Sequence, residues 1–262
     1  GAKRAEVHQG SAGQVRQGGA IGRPWSGLRL MPVNEFDQPV GESLDWAPRT
    51  AAPIEAMVGT HVRLVPLSAR HAEDLWQSLV LDSPDSLWTY LFSGPFERTD
   101  VGRQAFDEYV EAIEANPDFE AYCVELDGKA LGHACLMRDV PTMGVIEVGN
   151  IALGERLQRT TAATEMIYLL ARNVFEVRGY RRFEWKCDSF NEPSRRAAER
   201  FGFSYEGRFR QAVVYKGRNR DTDWFAMTDS DWHTRLRAAY DAWLEPTNFD
   251  ADGNQLSRLR TT

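Results

Sequence analysis

The stretch LQRTTAATE, residues 157–165, lies between an apolar segment and an apolar helical pattern, and small residues occupy its centre. The first N–H groups of a helix have no acceptor within the helix, and together with the helix dipole they attract anions. Small side chains at residues 160–163 would let a phosphate reach those N–H groups, and Arg159 could add a positive charge. The stretch therefore predicts a pyrophosphate site, although the same residues would also suit a helix that packs closely on a sheet.

The segments on either side make this stretch the start of a crossover helix. The apolar run GVIEVGNIAL precedes it and predicts a central strand that ends near Leu153. The helix that follows runs to about Val177, Gly179 stands in the position of a C-terminal cap, and residues 180–190 predict a second strand. This order implies a parallel strand pair, and ligands of such sheets bind beyond the carboxyl ends of the strands.

Outside this unit the pattern predicts antiparallel pairing and more helices. Asp127-Gly128 is a strong two-residue turn signal between β-rich runs, and Ser68 and Asp100 stand where helices would be capped. The expected fold class is α/β of the mixed α+β kind, with a central, mostly antiparallel sheet, one parallel strand pair and flanking helices. Further strands are predicted at residues 60–67, 204–217 and 221–230, and helices at residues 68–80, 101–115, 230–244 and within residues 191–203.

Four segments are expected along the chain. Residues 1–30 are basic, rich in Gly, Ala and Gln, and nearly free of large apolar residues, so they predict a disordered leader or a remnant of protein expression. Residues 31–58 predict an irregular N-terminal arm, residues 59–245 the regular domain, and residues 246–262 a C-terminal tail.

The bulk composition narrows the classes of function. The chain has 262 residues and a formal net charge of −7, and because nucleic-acid binders usually carry a basic excess, no nucleic-acid partner is expected. No apolar run approaches the ~18 residues of a membrane helix, so no membrane partner is expected either. Three cysteines without CxxC spacing suit reduced thiols in a cytoplasm, and the scattered histidines predict no metal site.

Three motifs in order resemble the GNAT superfamily of acyl-CoA-dependent N-acyltransferases, in its RimJ/RimL-like branch. The family's pyrophosphate loop, Gln/Arg-x-x-Gly-x-Gly/Ala, matches residues 158–163, IEVGNIAL matches the strand ahead of it, and NEPSRRAAERFGFSYEG matches the downstream Asn-x-x-Ser segment. The resemblance spans about residues 59–232. Two positions depart from the pattern, because Thr161 replaces the usual loop glycine and Ala198 stands where many relatives have a tyrosine general acid.

The resemblance implies acetyl-CoA as the cofactor and assigns candidate catalytic residues. Glu147, flanked by apolar residues on its strand, would be the general base with a raised pKa, or else a paired strand residue. Ser194 or water would protonate the departing thiolate, and Asn191 would contact the cofactor arm or the substrate; both residues also suit the start of a helix. The candidate cofactor-binding residues are Ile151, Ala152, Leu153, Gln158, Arg159, Thr160, Thr161, Ala162, Ala163, Thr164, Asn191, Ser194 and Arg195.

The family splays its strands near Ile151 and Ala152, so a main-chain N–H there would bond the acyl carbonyl. The acceptor would lie opposite the cofactor, although the aromatic run LWTYLFSGPF, residues 87–96, equally suits a core. The candidate substrate-binding residues are Trp88, Tyr90, Phe96, Glu147, Trp185 and Asp188. The segment with Lys216, Arg218, Arg220 and Asp221 would form the edge of the site or a solvated turn.

The expected function is transfer of an acetyl group from acetyl-CoA to a primary amine of a small molecule or a protein N-terminus or lysine, by direct attack with Glu147 as base. Two alternatives stay open. One is a non-catalytic module that binds or senses acyl-CoA, which Thr161 and Ala198 allow. The other is a transferase that uses a longer or acidic acyl-CoA. The resemblance also allows a homodimer.

Overall fold

The structure is a computed structural model, and it describes residues 32–50, 52–251 and 253–261. The chain divides into two compact units, Gly1–Trp46 and Ala47–Thr262.

The described part of the first unit is a short turn. The side-chain oxygen of Asn34 accepts hydrogen bonds from the backbone N–H groups of Phe36 and Gln38, each at 3.0 Å. An asparagine at this position fixes a turn because its side chain imitates a backbone carbonyl. The prediction for residues 1–30 lies outside the described residues.

Eight strands form one sheet in the second unit. They are β1 (Met57–Val58), β2 (Arg63–Pro66), β3 (Phe119–Leu126), β4 (Lys129–Val140), β5 (Val145–Leu153), β6 (Arg182–Asp188), β7 (Ser204–Tyr215) and β8 (Arg218–Thr228). Their order across the sheet is β1-β2-β3-β4-β5-β6-β8-β7. The pair β5–β6 is parallel and the other neighbours are antiparallel, which confirms the predicted fold class.

Helices cover both faces of this sheet. They are α1 (Ala72–Trp76), α2 (Asp100–Glu114), α3 (Thr161–Arg172), α4 (Glu192–Arg200), α5 (Asp229–Asp231) and α6 (Arg237–Leu244). Successive strand residues point to opposite faces, so Val124 packs in a core with α3 and α6, whereas Cys123 packs in a core with α1 and α2. Within the described residues, no helix is both long and apolar enough to cross a membrane.

The local signals for turns and caps match the structure with one correction. The Asp127-Gly128 turn joins β3 to β4, and both residues have the positive φ that a tight hairpin requires, 50° and 74°. The cap of α2 is Thr99 and not the predicted Asp100. The Thr99 backbone is extended and its Oγ1 accepts from the Gly102 N–H at 3.1 Å, whereas Asp100 is already helical.

Strands β5 and β6 are hydrogen-bonded over only part of their length. Val145–Val148 pair with Arg182–Trp185, and the pairing stops there, although β5 continues to Leu153 and β6 to Asp188. The carboxyl ends of the two strands are therefore separate, and α3 begins shortly after this opening.

A buried carboxylate fixes α3 against the turn between β1 and β2. Glu165 is 4% exposed, and its two oxygens accept from the backbone N–H groups of Thr60 at 2.8 Å and His61 at 2.6 Å. Gly59 leaves the room for this contact, because a Cβ there would lie 2.4 Å from the Glu165 carboxyl carbon. The contact holds the turn beside the first residues of α3.

Candidate functional site

A cavity of about 610 Å³ opens where β5 and β6 separate. It is lined by the carboxyl ends of both strands, by residues of β7 and β8, and by the segment before α2. The predicted site residues that line it are Tyr90, Glu147, Ile151, Trp185, Asp188, Asn191 and Ser194. The fold thus brings these residues together from β5, β6, α4 and the connections beside them.

Glu147 is a buried carboxylate with two cationic partners. Its Oε2 atom lies 2.7 Å from Nζ of Lys186 and 3.2 Å from Nε of Arg138, and the residue is 5% exposed. The described residues provide no hydrogen-bond donor to its other oxygen, Oε1. A Cβ at Gly149 would lie 3.3 Å from Oε1, so the glycine keeps this oxygen open. Two cations hold one carboxylate oxygen, and the other has no hydrogen-bond partner among the described residues.

The pKa values of two neighbouring carboxyl groups diverge. Burial raises the pKa of Glu147 above its ordinary 4.5 and outweighs the lowering by Lys186 and Arg138. Burial also acts on Glu184, but hydrogen bonds from Lys186 and Arg182 outweigh it and lower the pKa of Glu184. Lys186 Nζ lies 2.7 Å from both carboxylates. Of the two, Glu147 is therefore the better proton acceptor near neutral pH.

A bulge in β5 turns the main chain out of the ladder beside this carboxylate. Asn150 and Ile151 together stand opposite the single residue Ala134 of β4, and Asn150 has a φ of 47°. A bulge leaves backbone groups outside the regular pairing, where they can bind a ligand. Of the two predicted N–H donors, Ile151 lines the cavity, whereas Ala152 is fully buried in the ladder.

Asn191 and Ser194 reach the cavity from the start of α4. The Asn191 side-chain oxygen accepts from the Ser194 N–H at 3.2 Å, so Asn191 caps the helix as predicted. The Ser194 hydroxyl oxygen accepts from the indole Nε1 of Trp185 at 3.0 Å. This bond orients the serine oxygen, and the Ser194 hydroxyl also forms a hydrogen bond with the Cys187 thiol.

The stretch 157–165 forms the N-terminus of α3, and part of it serves the turn itself. Thr160 caps the helix by accepting from the Ala163 N–H at 3.2 Å, and the Gln158 N–H bonds the Gly154 carbonyl at 3.3 Å. The N–H groups of Gln158 and Ala163 are thus used within the turn. Four N–H groups find no acceptor among the described residues, those of Arg159, Thr160, Thr161 and Ala162.

These four residues line a second cavity, of about 920 Å³. Thr60 and His61, which Glu165 holds in place, also line it, as does Arg200. N–H groups without acceptors at a helix N-terminus are what a phosphate group binds. The residues present therefore fit a diphosphate.

The remaining predicted cofactor residues of this segment support the turn without lining either cavity. The Gln158 side-chain amide donates to the Leu153 carbonyl at 2.8 Å, and the Thr164 hydroxyl donates to the Thr160 carbonyl at 3.2 Å. Ala163 gives its N–H to the cap described above. These contacts shape the loop and do not present polar atoms to a cavity.

Trp88 and Phe96 belong to the core and not to the predicted acceptor wall. Trp88 is 1% exposed, and its ring meets Phe96 edge-on at 4.9 Å and Tyr109 at 5.6 Å between centroids. Edge-to-face contacts of this kind fill the space under the segment before α2. Of these three aromatic candidates, Tyr90 lines the cavity, and its hydroxyl donates to the Phe190 carbonyl at 3.0 Å.

Arg195 is engaged within the protein. Its Nε lies 2.9 Å from Oδ2 of the fully buried Asp223, and its Nη1 lies 3.2 Å from Oε2 of Glu192. Arg195 lines neither cavity described above. It ties α4 to β8, and the role in cofactor binding that the sequence suggested finds no support in this geometry.

Two site residues escaped the sequence analysis, Lys186 and Arg138. The sequence does contain a signal for Lys186. Every second residue of β6 is charged, so Glu184, Lys186 and Asp188 share one face of the sheet. Arg138 carries no comparable signal, since its contact with Glu147 depends on the bend of β4. The described part of the chain has no group of three or more metal-binding side chains.

The three cysteines are free and buried. Burial raises the pKa of Cys187, the one nearest the cavity, to about 11. These thiols are therefore neutral and unsuited to nucleophilic attack, and they pack as small apolar residues.

Several known proteins are similar to this chain. Residues 61–204 match the family model described as an acetyltransferase (GNAT) domain. The chain is 43% identical to a GCN5-related N-acetyltransferase from Brucella melitensis, with a TM-score of 0.78, over 82% of this chain and 96% of that one. A GNAT-family acetyltransferase from Chromobacterium violaceum is 39% identical, with a TM-score of 0.67, over 75% and 100% of the two chains.

A more distant likeness concerns the fold alone. A microcin self-immunity acetyltransferase, solved in complex with acetyl-CoA and AMP, is 18% identical with a TM-score of 0.56, over 65% of this chain and 93% of that one. A search of curated proteins gave no match.

Proposed function

Because this chain belongs to the GNAT acetyltransferase family, we propose that it transfers the acetyl group of acetyl-CoA to a primary amine of a small molecule or a protein, with Glu147 as general base. The observation that carries the proposal is the position of Glu147, a buried carboxylate with a raised pKa and one open oxygen at the cavity between β5 and β6. The free, buried thiols are consistent with a cytoplasmic protein.

The residues that would hold coenzyme A are those with unused polar groups at the two cavities. The N–H groups of residues 159–162 bind the diphosphate, and the bulge at Ile151 gives an N–H to the acetyl carbonyl. Asn191 and Ser194 contact the arm that leads to the sulfur. Thr161 adds a hydroxyl where relatives have glycine, so one contact to the diphosphate is made by a side chain.

Acetyl-CoA supplies the acetyl group as a thioester, and the chain's own residues manage the protons. Glu147 Oε1 takes a proton from the acceptor amine, directly or through a water, so that the nitrogen lone pair is free to form the new bond to carbon. The carbon–sulfur bond breaks as the new carbon–nitrogen bond forms, and the departing thiolate takes a proton from the Ser194 hydroxyl or from water. The second proton that the nitrogen loses on becoming an amide restores that donor. Lys186 and Arg138 hold Glu147 Oε2 throughout, so the carboxylate keeps its direction.

Thiol release from acetyl-CoA tests this proposal. The wild type and Glu147→Gln are assayed with a panel of amines, and their affinity for coenzyme A is measured by calorimetry. We expect Glu147→Gln to lose about 100-fold or more in rate while its coenzyme A affinity stays within about twofold. Glu111→Gln, on the exposed side of α2, is the matched control and should behave as wild type.

Two outcomes would contradict the proposal. Glu147→Gln could retain the wild-type rate, which would remove the carboxylate from the reaction. Alternatively, coenzyme A could bind tightly while no amine is acetylated, which would favour a protein that binds acyl-CoA without turnover.

A further inference from the structure

Three polar side chains of β8 share one face of the sheet and line the cavity between β5 and β6. Arg220, Thr222 and Trp224 alternate along the strand, so they share a face, and all three line the cavity. The Arg220 Nε, Thr222 Oγ1 and Trp224 Nε1 atoms are buried and have no hydrogen-bond partner in the described part of the chain. Buried polar atoms normally form hydrogen bonds, so three such atoms in a row without partners indicate that a ligand binds there.

Arg220 is the most unusual member of this row. The residue is 8% exposed, and among the described residues no carboxylate forms a salt bridge with it. Arg178, another buried arginine, shows the ordinary arrangement, because Glu120 accepts from its Nη1 at 2.9 Å. Burying a guanidinium without a counter-ion costs several kcal/mol, so such a group is retained where an external anion supplies the charge.

Two aromatic rings hold the Arg220 guanidinium. Its Cζ atom lies 5.5 Å from the ring centroid of Phe92 and 5.8 Å from that of Tyr215. The segment that carries Phe92 is itself fastened, because Lys216 Nζ donates to the Trp88 carbonyl at 2.7 Å. Stacking leaves the edge of a guanidinium free for the two parallel hydrogen bonds that carboxylates and phosphates accept. The charge is therefore positioned before any ligand arrives.

Asp188, an acidic residue beside this row, already has hydrogen-bond partners. Asp188 stands directly opposite Thr222 in the ladder and lines the cavity. Its Oδ1 accepts from the Phe190 N–H at 2.9 Å and its Oδ2 from the Tyr215 hydroxyl at 2.8 Å. These two bonds turn the carboxylate toward the protein, so it does not serve as the counter-ion of Arg220.

The row of donors connects Arg220 with the catalytic carboxylate. Trp224 stands opposite Lys186, whose Nζ lies 3.9 Å from the Trp224 ring centroid and 2.7 Å from Glu147 Oε2. Arg220 and Trp224 are four residues apart, which is about 13 Å along a strand. Because Arg220 and Glu147 both line the cavity, it offers a cationic end and a proton-accepting end within one small-molecule site.

We propose that the acceptor is a small amine that also carries an acidic group, a carboxylate or a phosphate, which Arg220 binds while the amine faces Glu147. This inference rests on the proposed acetyl transfer and names the class of acceptor. Thr222 and Trp224 provide further donors to the same molecule. A protein substrate is disfavoured, because the guanidinium lies inside the cavity and not on an exposed surface.

The first test compares acceptors that differ only in the acidic group. Wild type is assayed for thiol release with the common amino acids and their carboxamides, and with β-alanine, β-alaninamide, O-phosphoethanolamine and propylamine. We expect at least one acid to exceed its uncharged counterpart by about 10-fold or more in kcat/KM, which corresponds to about 1.4 kcal/mol. The phosphate-bearing amine shows which kind of acid the site prefers.

The second test removes the guanidinium. Arg220→Gln should raise KM for the acid and bring its kcat/KM close to that of the uncharged counterpart, whereas Arg220→Lys should restore part of the preference. Affinity for coenzyme A should stay within about twofold in both variants. Arg218→Gln is the matched control, because Arg218 is exposed on the same hairpin. An acid preference that survives in Arg220→Gln would overturn the inference.

A binding measurement separates failure of this inference from failure of the proposed function. The N-acetyl derivatives of the acids and amides are titrated by calorimetry into wild type and Arg220→Gln with coenzyme A present. If no amine is acetylated but an N-acetyl acid binds wild type and not Arg220→Gln, the proposed function fails and the anion site stands. If wild type neither acetylates an acid in preference to its amide nor binds an N-acetyl acid more tightly than the amide, the inference is wrong.

Discussion

Lys186 Nζ lies 2.7 Å from Oε2 of Glu147, and the contact joins two strands that are hydrogen-bonded only up to this level of the sheet. The ammonium lowers the pKa of Glu147, and burial raises it by more. The balance keeps a carboxylate inside the protein as an ion while leaving it more basic than an exposed glutamate.

The activity of the enzyme should depend on pH through Glu147. The base works only when deprotonated, so kcat/KM should rise with pH through a midpoint above 4.5, the ordinary value for glutamate. Replacing Lys186 by Met removes a cation that lowers this pKa, so the midpoint should move to higher pH. Rate profiles of both proteins measure the shift. Lys129→Met, an exposed lysine paired with Asp74, should leave the midpoint unchanged, and the same result for Lys186→Met would count against this role.

A negative charge at the start of α3 should weaken cofactor binding. Thr161→Glu places a carboxylate beside the N–H groups that lack acceptors, where it repels a diphosphate and competes for the same donors. We expect the affinity for coenzyme A to fall by about 10-fold or more in calorimetry, and Thr161→Gly to bind at least as tightly as wild type. Ala105→Glu adds the same charge on an exposed face of α2 and should bind normally. Equal affinities for Thr161→Glu and wild type would place the diphosphate elsewhere.

The Glu165 carboxylate should contribute measurably to stability. Replacing it by Gln leaves one good acceptor for the two N–H groups of Thr60 and His61, in a residue that is 4% exposed. The free energy of unfolding should fall by about 1–3 kcal/mol, the usual cost of an unsatisfied buried hydrogen-bonding group. Denaturant titration measures it, with the exposed Glu111→Gln as control. Similar unfolding midpoints for the two variants would show that this contact is dispensable.

Acid should destabilise the protein partly through His133. This residue is fully buried, its Nε2 lies 2.8 Å from the Tyr109 hydroxyl, and burial lowers its pKa to about 4. The folded chain therefore keeps His133 neutral while the unfolded chain protonates it below its ordinary 6.5. The stability contributed by the neutral ring is complete above pH 6.5 and is lost as the pH falls toward 4.

The matched variant for this prediction is His133→Gln, which keeps a polar group near Tyr109 but does not titrate. Between pH 7 and 4, the unfolding free energy of the wild type should decrease by about 3 kcal/mol more than that of the variant. Denaturant titrations at several pH values measure both slopes. Parallel slopes would mean that His133 is protonated in the folded state as well.

The local sequence determined the order of strands and helices, the crossover at α3, the hairpin at Asp127-Gly128 and the position of Glu147 on a central strand. These features follow from periodicity, turn chemistry and a short motif, all of which act over a few residues. The wrong prediction of Asp100 as the cap of α2 also has a local cause. Thr99 and Asp100 are adjacent and each could cap the helix, and the backbone conformation selects Thr99.

Only the tertiary structure decided which side chains meet. The register of β5 against β6 sets Glu147 opposite Glu184 and so brings Lys186 within reach. The packing of Phe96 on Trp88 places that tryptophan in the core and not in the predicted acceptor wall. The lack of a carboxylate partner for the Arg220 guanidinium among the described residues is likewise decided by the tertiary structure. A pattern in the sequence tells which face a residue occupies, whereas a partner depends on how segments far apart in the chain are aligned, and that alignment results from the packing of the whole sheet.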